Sequence, residues 1–186
     1  MATDTATLQT ATRSIWDFDP AHTSVDFKVK HMMVTTVKGR FTGVHGRIIG
    51  NIEEPHLAEV DVTIDASTVD TRNDQRDAHL RSADFLDSEN HPQITFKSTR
   101  VEPVSDDEVK VIGDLTIRGV TKEVTLDVEI NGFGKTPFGT EVAGLTATTT
   151  LNRKDFGLNW NVALEAGGWL VGETVKVEID VEAIKQ

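Results

Sequence analysis

Residues 174–184, TVKVEIDVEAI, alternate apolar and polar side chains almost without a fault from Val175 to Val181. On an extended chain Val175, Val177, Ile179 and Val181 share one face, while Lys176, Glu178 and Asp180 share the other. That period of two marks a strand with one dry side and one wet side. The same signature recurs upstream. Residues 25–31, VDFKVKH, place Val25, Phe27 and Val29 on one face, which then ends in His31. Residues 56–68 align Val60, Val62, Ile64 and Ala66, and residues 93–101 align Ile94, Phe96 and Ser98. Val109, Val111, Gly113, Leu115 and Ile117 follow in phase, then Val124, Leu126, Val128 and Ile130, then Ala143, Leu145, Ala147, Thr149 and Leu151. Residues 39–50, GRFTGVHGRIIG, keep the pattern but interrupt it with Gly43 and Gly46, a sign of a bulge or a close approach to the backbone. Eight or nine such strands joined by Gly, Pro and Asn turns predict an antiparallel barrel or sandwich. RGVT at 118–121 reads as a tight hairpin.

Two stretches leave the pattern. Residues 71–92 lack alternation and predict a helix near 74–86, capped by Asn73 or Asp74 and stopped before Pro92. Its thin apolar side, Ala78, Leu80, Ala83, Phe85 and Leu86, suits an element resting on a sheet edge. Residues 152–172 form a long irregular connection with two tryptophans, the kind that serves as a lid or binding loop. No repeat, linker or composition step divides the chain. A single domain is expected over 14–186, behind a flexible Thr/Ala tail at 1–13.

Composition excludes several classes. Hydrophobic residues make up 38% of the 186, and no window approaches a membrane-spanning helix. Thirty acidic against nineteen basic residues give a net charge of -11, which repels nucleic acid and anionic headgroups. Without cysteine there is no disulfide, thiolate metal site or cysteine nucleophile. The tail has no basic and apolar signal pattern, so a cytoplasmic location is expected.

Catalytic motifs are equally scarce. The histidines, at 22, 31, 45, 56, 79 and 91, show no short ligand spacing, so no metal is expected. NGFGKTPFG at 131–139 lacks phosphate-loop spacing and reads as a hairpin turn. His31, at the end of an apolar face, has four readings: a hydrogen-bonded core residue, a metal ligand, a general base, or the polar end of a ligand cavity. Small inward residues (Gly43, Gly46, Gly113, Ala143, Ala147) favour a cavity, but alternation does not measure volume, and a packed interior stays open.

Four ordered blocks, residues 19–48, 70–96, 113–126 and 151–160, resemble the signature segments of the YceI-like family and span nearly all of the chain behind the tail. The resemblance implies an all-β, lipocalin-like antiparallel barrel of about eight strands with a long apolar tunnel. It implies non-enzymatic binding, transport or storage of a long-chain apolar lipid such as a polyisoprenoid, an isoprenoid quinone or a similar amphiphile. It brings no cofactor and no catalytic residues. Some members are homodimers, and many are exported, whereas this tail shows no signal. On this basis Val25, Phe27, Val29, His31, Phe41, Ile64, Phe96, Leu115, Leu126, Val128, Phe156 and Trp160 are expected to line the tunnel. His31, Arg76, Arg81, Asn152 and Arg153 are expected to meet a headgroup, and Trp169 suits a lid. Two alternatives remain: a barrel enzyme with His31 as general base beside a carboxylate such as Asp155, and a packed stress-response scaffold without ligand.

Overall fold

The computed structural model describes residues 13–51 and 54–186, so all of the expected tail but Arg13 lies outside the described residues. Among them the chain runs through β1 (Ser14–Phe18), β2 (Ser24–His31), β3 (Thr35–Phe41), β4 (Val44–Gly50), β5 (Glu59–Asp65) and β6 (Val69–Asp70). Helix α1 (Asp74–Arg81) follows, then β7 (Gln93–Pro103), β8 (Glu108–Ile117), β9 (Val120–Lys135), β10 (Glu141–Asn152) and β11 (Val171–Lys185). Eight of the strands close a ring in the order β1-β4-β5-β7-β8-β9-β10-β11, and β11 returns to β1 through Trp16↔Lys185 and Phe18↔Ala183. Every pairing is antiparallel, so the fold is the expected closed barrel. Closure removes the free edges that an open sheet would expose.

The first two wall strands are each broken in two. β1 and β2 lie one after the other along the same side of β11, with Phe18 opposite Ala183 and Ser24 opposite Asp180. Pro20, which has no N–H to give a ladder, sits in the break. Asp19 turns the chain there by accepting from the Ala21 N–H at 2.9 Å and the His22 Nδ1 at 2.7 Å. β3 and β4 are parted at Gly43, whose N–H donates to Thr68 Oγ1.

At the β2–β3 end the sheet splits. Beyond β2, β3 pairs only with the two-residue β6, and among the described residues neither is hydrogen-bonded to β7. α1 and the turn after it cover that gap, burying Phe85 and Leu86, with Leu86 packed beside Val69 and Ile94. Asn73 is the N-cap, accepting from Arg76 N–H. The helix ends at Arg81, short of the expected 86. Ser82 leaves helical geometry (φ -72, ψ 172) and ties its hydroxyl and N–H back to His79 O. Asp87, in the left-handed region (φ 49), then folds the turn onto the sheet. Asp77 fastens α1 to the residue that follows β6: its buried carboxylate accepts from Thr71 N–H at 2.8 Å and Thr71 Oγ1 at 2.6 Å.

RGVT is the expected hairpin, with Arg118 (φ 50) and Gly119 (φ 73) both left-handed, as a turn matching strand twist requires. The alternation carries over except at bulges, in β7, in β9 opposite Gly144 and Leu145, and at the start of β11. A bulge between Ser98 and Arg100 shifts the phase of β7, which lets Val101 point inward as Ile94 and Phe96 do. Of the three glycines expected to leave open space, Gly46 and Gly113 are instead roofed by aromatic rings and Gly43 is closed off by Thr68 and Asp65. A Cβ on Gly46 would lie 2.2 Å from the Phe18 ring, and one on Gly113 would lie 2.7 Å from that of Phe96.

Candidate functional site

The barrel interior holds two chambers end to end. One, of about 250 Å³, lies in the closed ring and is walled by Trp16, Phe18, Val60, Val62, Val111, Ile130 and their neighbours. The other, of about 300 Å³, lies at the split end under α1 and the 153–171 connection. Val25, Phe41, Ile94, Ile117, Leu151 and Val177 line both. These six come from β2, β3, β7, β8, β10 and β11, one from each, so they form a belt around the interior where the chambers meet.

The first chamber is almost wholly aliphatic and aromatic. The second carries its polar groups at its outer end. Arg76, on the first turn of α1, donates through Nε to Thr71 Oγ1 at 2.7 Å and through Nη2 to Thr71 O at 2.9 Å. Its Nη1 has no protein acceptor among the described residues. His79, one helical turn on, stands edge-on to Phe85 (5.0 Å) and Trp160 (4.5 Å) and bonds Asp84 Oδ2 through Nε2 at 2.8 Å. The ring of His31 makes no hydrogen bond to the described residues, although the residue lines the chamber.

Arg153 is 5% exposed and serves the wall itself. Nε donates to Gly172 O, Nη1 to Leu158 O and Trp160 O, and Nη2 to Val171 O, at 2.6–3.3 Å. Burial pulls its guanidinium pKa below the ordinary value, opposed by nearby Glu173. One side chain thus pins both ends of the 157–172 connection to the rim.

The twelve residues expected along the tunnel all line a chamber. Ile64, Phe96, Leu115, Leu126 and Val128 face the first; Phe27, Val29, His31, Phe156 and Trp160 face the second; Val25 and Phe41 face both. The headgroup set divides. His31 and Arg76 line the second chamber, and Arg153 does so with its donors engaged. Arg81 and Asn152 line neither chamber, for a local reason: Arg81, at the C-terminus of α1, reaches back to Ser67 O, and Asn152 caps the short 153–156 turn by accepting from Lys154 N–H. Asp155 is exposed in that turn, and among the described residues no carboxylate lines either chamber.

Sequence reasoning missed His79 and the joining role of the belt. His79 lay on a helix whose facing could not be read. The belt residues were legible as inward-facing, but nothing in one strand says how high its residues stand against the next. Trp169 is half exposed and bridges Ala163, at the end where Met32, Met33 and Val34 are also exposed. Asp19, His22 and Glu182 bring three ligand atoms within 4.8 Å of one another at the surface, in the turn that parts β1 from β2. No helix among the described residues is long and apolar enough to cross a membrane.

A family model described as the YceI-like domain matches residues 16–183. A UPF0312 protein of Staphylococcus aureus is 43% identical over 166 residues, covering 89% of this chain and 94% of that protein. The crystal structure of the Campylobacter jejuni YceI protein superposes with a TM-score of 0.72 at 28% identity, covering 100% of this chain and 98% of that one. A polyisoprenoid binding domain from Saccharophagus degradans, implicated in plant cell wall breakdown, superposes with a TM-score of 0.69 at 16% identity over 90% of this chain and 97% of its own.

Proposed function

The chain belongs to the YceI-like family, and from that premise we propose that it binds, carries or stores a long-chain apolar lipid, such as a polyisoprenoid, in its barrel without transforming it. The observation that carries this reading is the pair of end-to-end chambers, apolar through most of their length, with the cationic and imidazole side chains gathered in the second. Burying a ligand patch the size of one apolar side chain contributes on the order of 1.5–3 kcal/mol before association costs. A chain that touches many wall residues therefore gains its affinity from contact area, and polar groups set its direction. The absence of carboxylates from both walls, among the described residues, leaves His31 without an acidic partner and favours a carrier over a catalyst. The polyisoprenoid-binding neighbour has the same fold.

Arg76 and His31 stand where a headgroup would lie, and charge-assisted bonds favour an anionic one there. Native mass spectrometry of freshly purified protein, with organic extraction, is expected to reveal a prenyl or similar long-chain lipid. Protein that carries none and binds no added prenol would overturn the proposal. Arg76→Ala is expected to weaken a prenyl phosphate about tenfold, the scale of one lost charge-assisted bond, and to leave the matching neutral prenol nearly as tightly bound.

A further inference from the structure

We propose that the belt of Val25, Phe41, Ile94, Ile117, Leu151 and Val177 sets the chain length of the ligand, by deciding whether a chain that enters the second chamber continues into the first. The inference rests on the apolar-lipid reading above and assigns a specificity role within it.

The cationic and imidazole side chains of the two walls, Lys30, His31, Arg76, His79 and Arg153, all line the second chamber, whereas the polar side chains of the first are Asn51 and Thr149, so an anionic or polar headgroup belongs in the second and the tail points toward the belt. Taking roughly 30 Å³ for each water-sized group, a ten-carbon chain needs about 300 Å³, and the second chamber matches that. A twenty-carbon chain needs about twice as much, more than either chamber alone provides. It can be buried only by threading the belt into the first chamber, of about 250 Å³, where almost nothing polar waits for it.

The belt is suited to such a gate. Its six side chains come from six strands of one antiparallel sheet, which is open at this level between β3 and β7, where the turn after α1 packs over the gap. Passage depends on side-chain rotamers, and each added carbon on the belt narrows it directly. Phe41 is held from one side by the Phe27 ring, whose centroid is 5.6 Å away, and Phe27 in turn lies over Gly39. The widest ring in the belt is therefore braced rather than loose.

The test uses geraniol and geranylgeraniol as probes, with affinities measured by displacement of a fluorescent apolar dye. Ile117→Phe and Leu151→Phe narrow the belt, and Leu80→Phe fills the second chamber without adding to the belt, since Leu80 lines only that chamber. Both belt variants are expected to weaken geranylgeraniol at least tenfold more than geraniol, whereas Leu80→Phe weakens the two alike. Thermal melts identify any variant that fails to fold. The structure of geranylgeraniol-loaded wild-type protein decides the point without a variant: lipid density crossing the belt supports the proposal, and density confined to one chamber overturns it. Equal losses for both probes in both folded belt variants overturn it as well. If wild-type protein binds geraniol but not geranylgeraniol, no chain passes from the second chamber into the first, and the proposed threading of the belt is overturned while the lipid reading stands. If it binds neither, the lipid reading itself has failed.

Discussion

Arg153 takes a full charge into the rim of a chamber and gives four of its five N–H groups to backbone oxygens of the same connection. Arg153→Met removes the side-chain donor from all four oxygens, of which Val171 O keeps Asn161 Nδ2, and denaturant unfolding should show a loss of about 1–3 kcal/mol. Arg153→Lys should recover little, because a single ammonium cannot reach four acceptors spread over a fork. This role was not legible in the sequence: the acceptors are carbonyls, which every residue has, and only the fold brings them together. At Gly39 a Cβ would lie 2.4 Å from the tip of the Phe27 ring and 2.8 Å from the Thr71 methyl group. Gly39→Val should push that ring into the second chamber and cost about 1–3 kcal/mol by overpacking. Titration acts at the turn between β1 and β2. The hydrogen bond between His22 and Asp19 lifts His22 above its ordinary 6.5, helped by Glu182, and holds Asp19 below its ordinary 3.8. The histidine's contribution is fully present below 6.5 and is lost as pH rises through its raised folded value. The aspartate's contribution is present above 3.8 and is lost as pH falls through its lowered one. The turn is therefore tightest between the two. NMR titration of the His22 ring should show its midpoint drop toward 6.5 in Asp19→Asn.

Among the elements, α1 stands apart because side chains, rather than a ladder, hold it to the barrel. Asp77 grips Thr71, Arg76 grips the same threonine, and Leu80 with the buried Phe85 and Leu86 rests on the split end of the sheet. Asn73→Ala removes its cap and should lower stability by about 1 kcal/mol. Hydrogen exchange should find the amides of α1 opening well before those of β8, β9 and β10, which have ladder partners on both sides. The start of this helix was legible, since an asparagine before a polar run is a local signal. Its end was not, because Ser82 and Asp87 turn the chain through backbone bonds that follow from docking. The wall strands were legible from alternation. The break at Pro20 carried a visible mark, but that β1 and β2 are halves of one strand emerges only from their shared partner, β11.

Across the whole molecule, an acidic exterior surrounds an apolar interior. Prenol affinity should accordingly hardly change with ionic strength, whereas any prenyl phosphate affinity that depends on Arg76 should fall as salt rises; dye displacement across a salt series checks both. Strand count and inward faces could be read from the chain, but closure and cavity volume could not, because both depend on register between distant segments. β11 is where that dependence concentrates. It meets β10 on one side and both β1 and β2 on the other, and it supplies Val177 to the belt. It is also the last strand in chain order, paired across the whole domain with the first. Such distant contacts slow folding, because a long loop must close before they form. During synthesis the rest of the wall emerges with its greasy face uncovered and waits for its final strand, the interval in which a nascent barrel is most prone to aggregate. Neither chamber has a complete wall until that strand docks, so any cargo must be acquired after β11 has been made and paired.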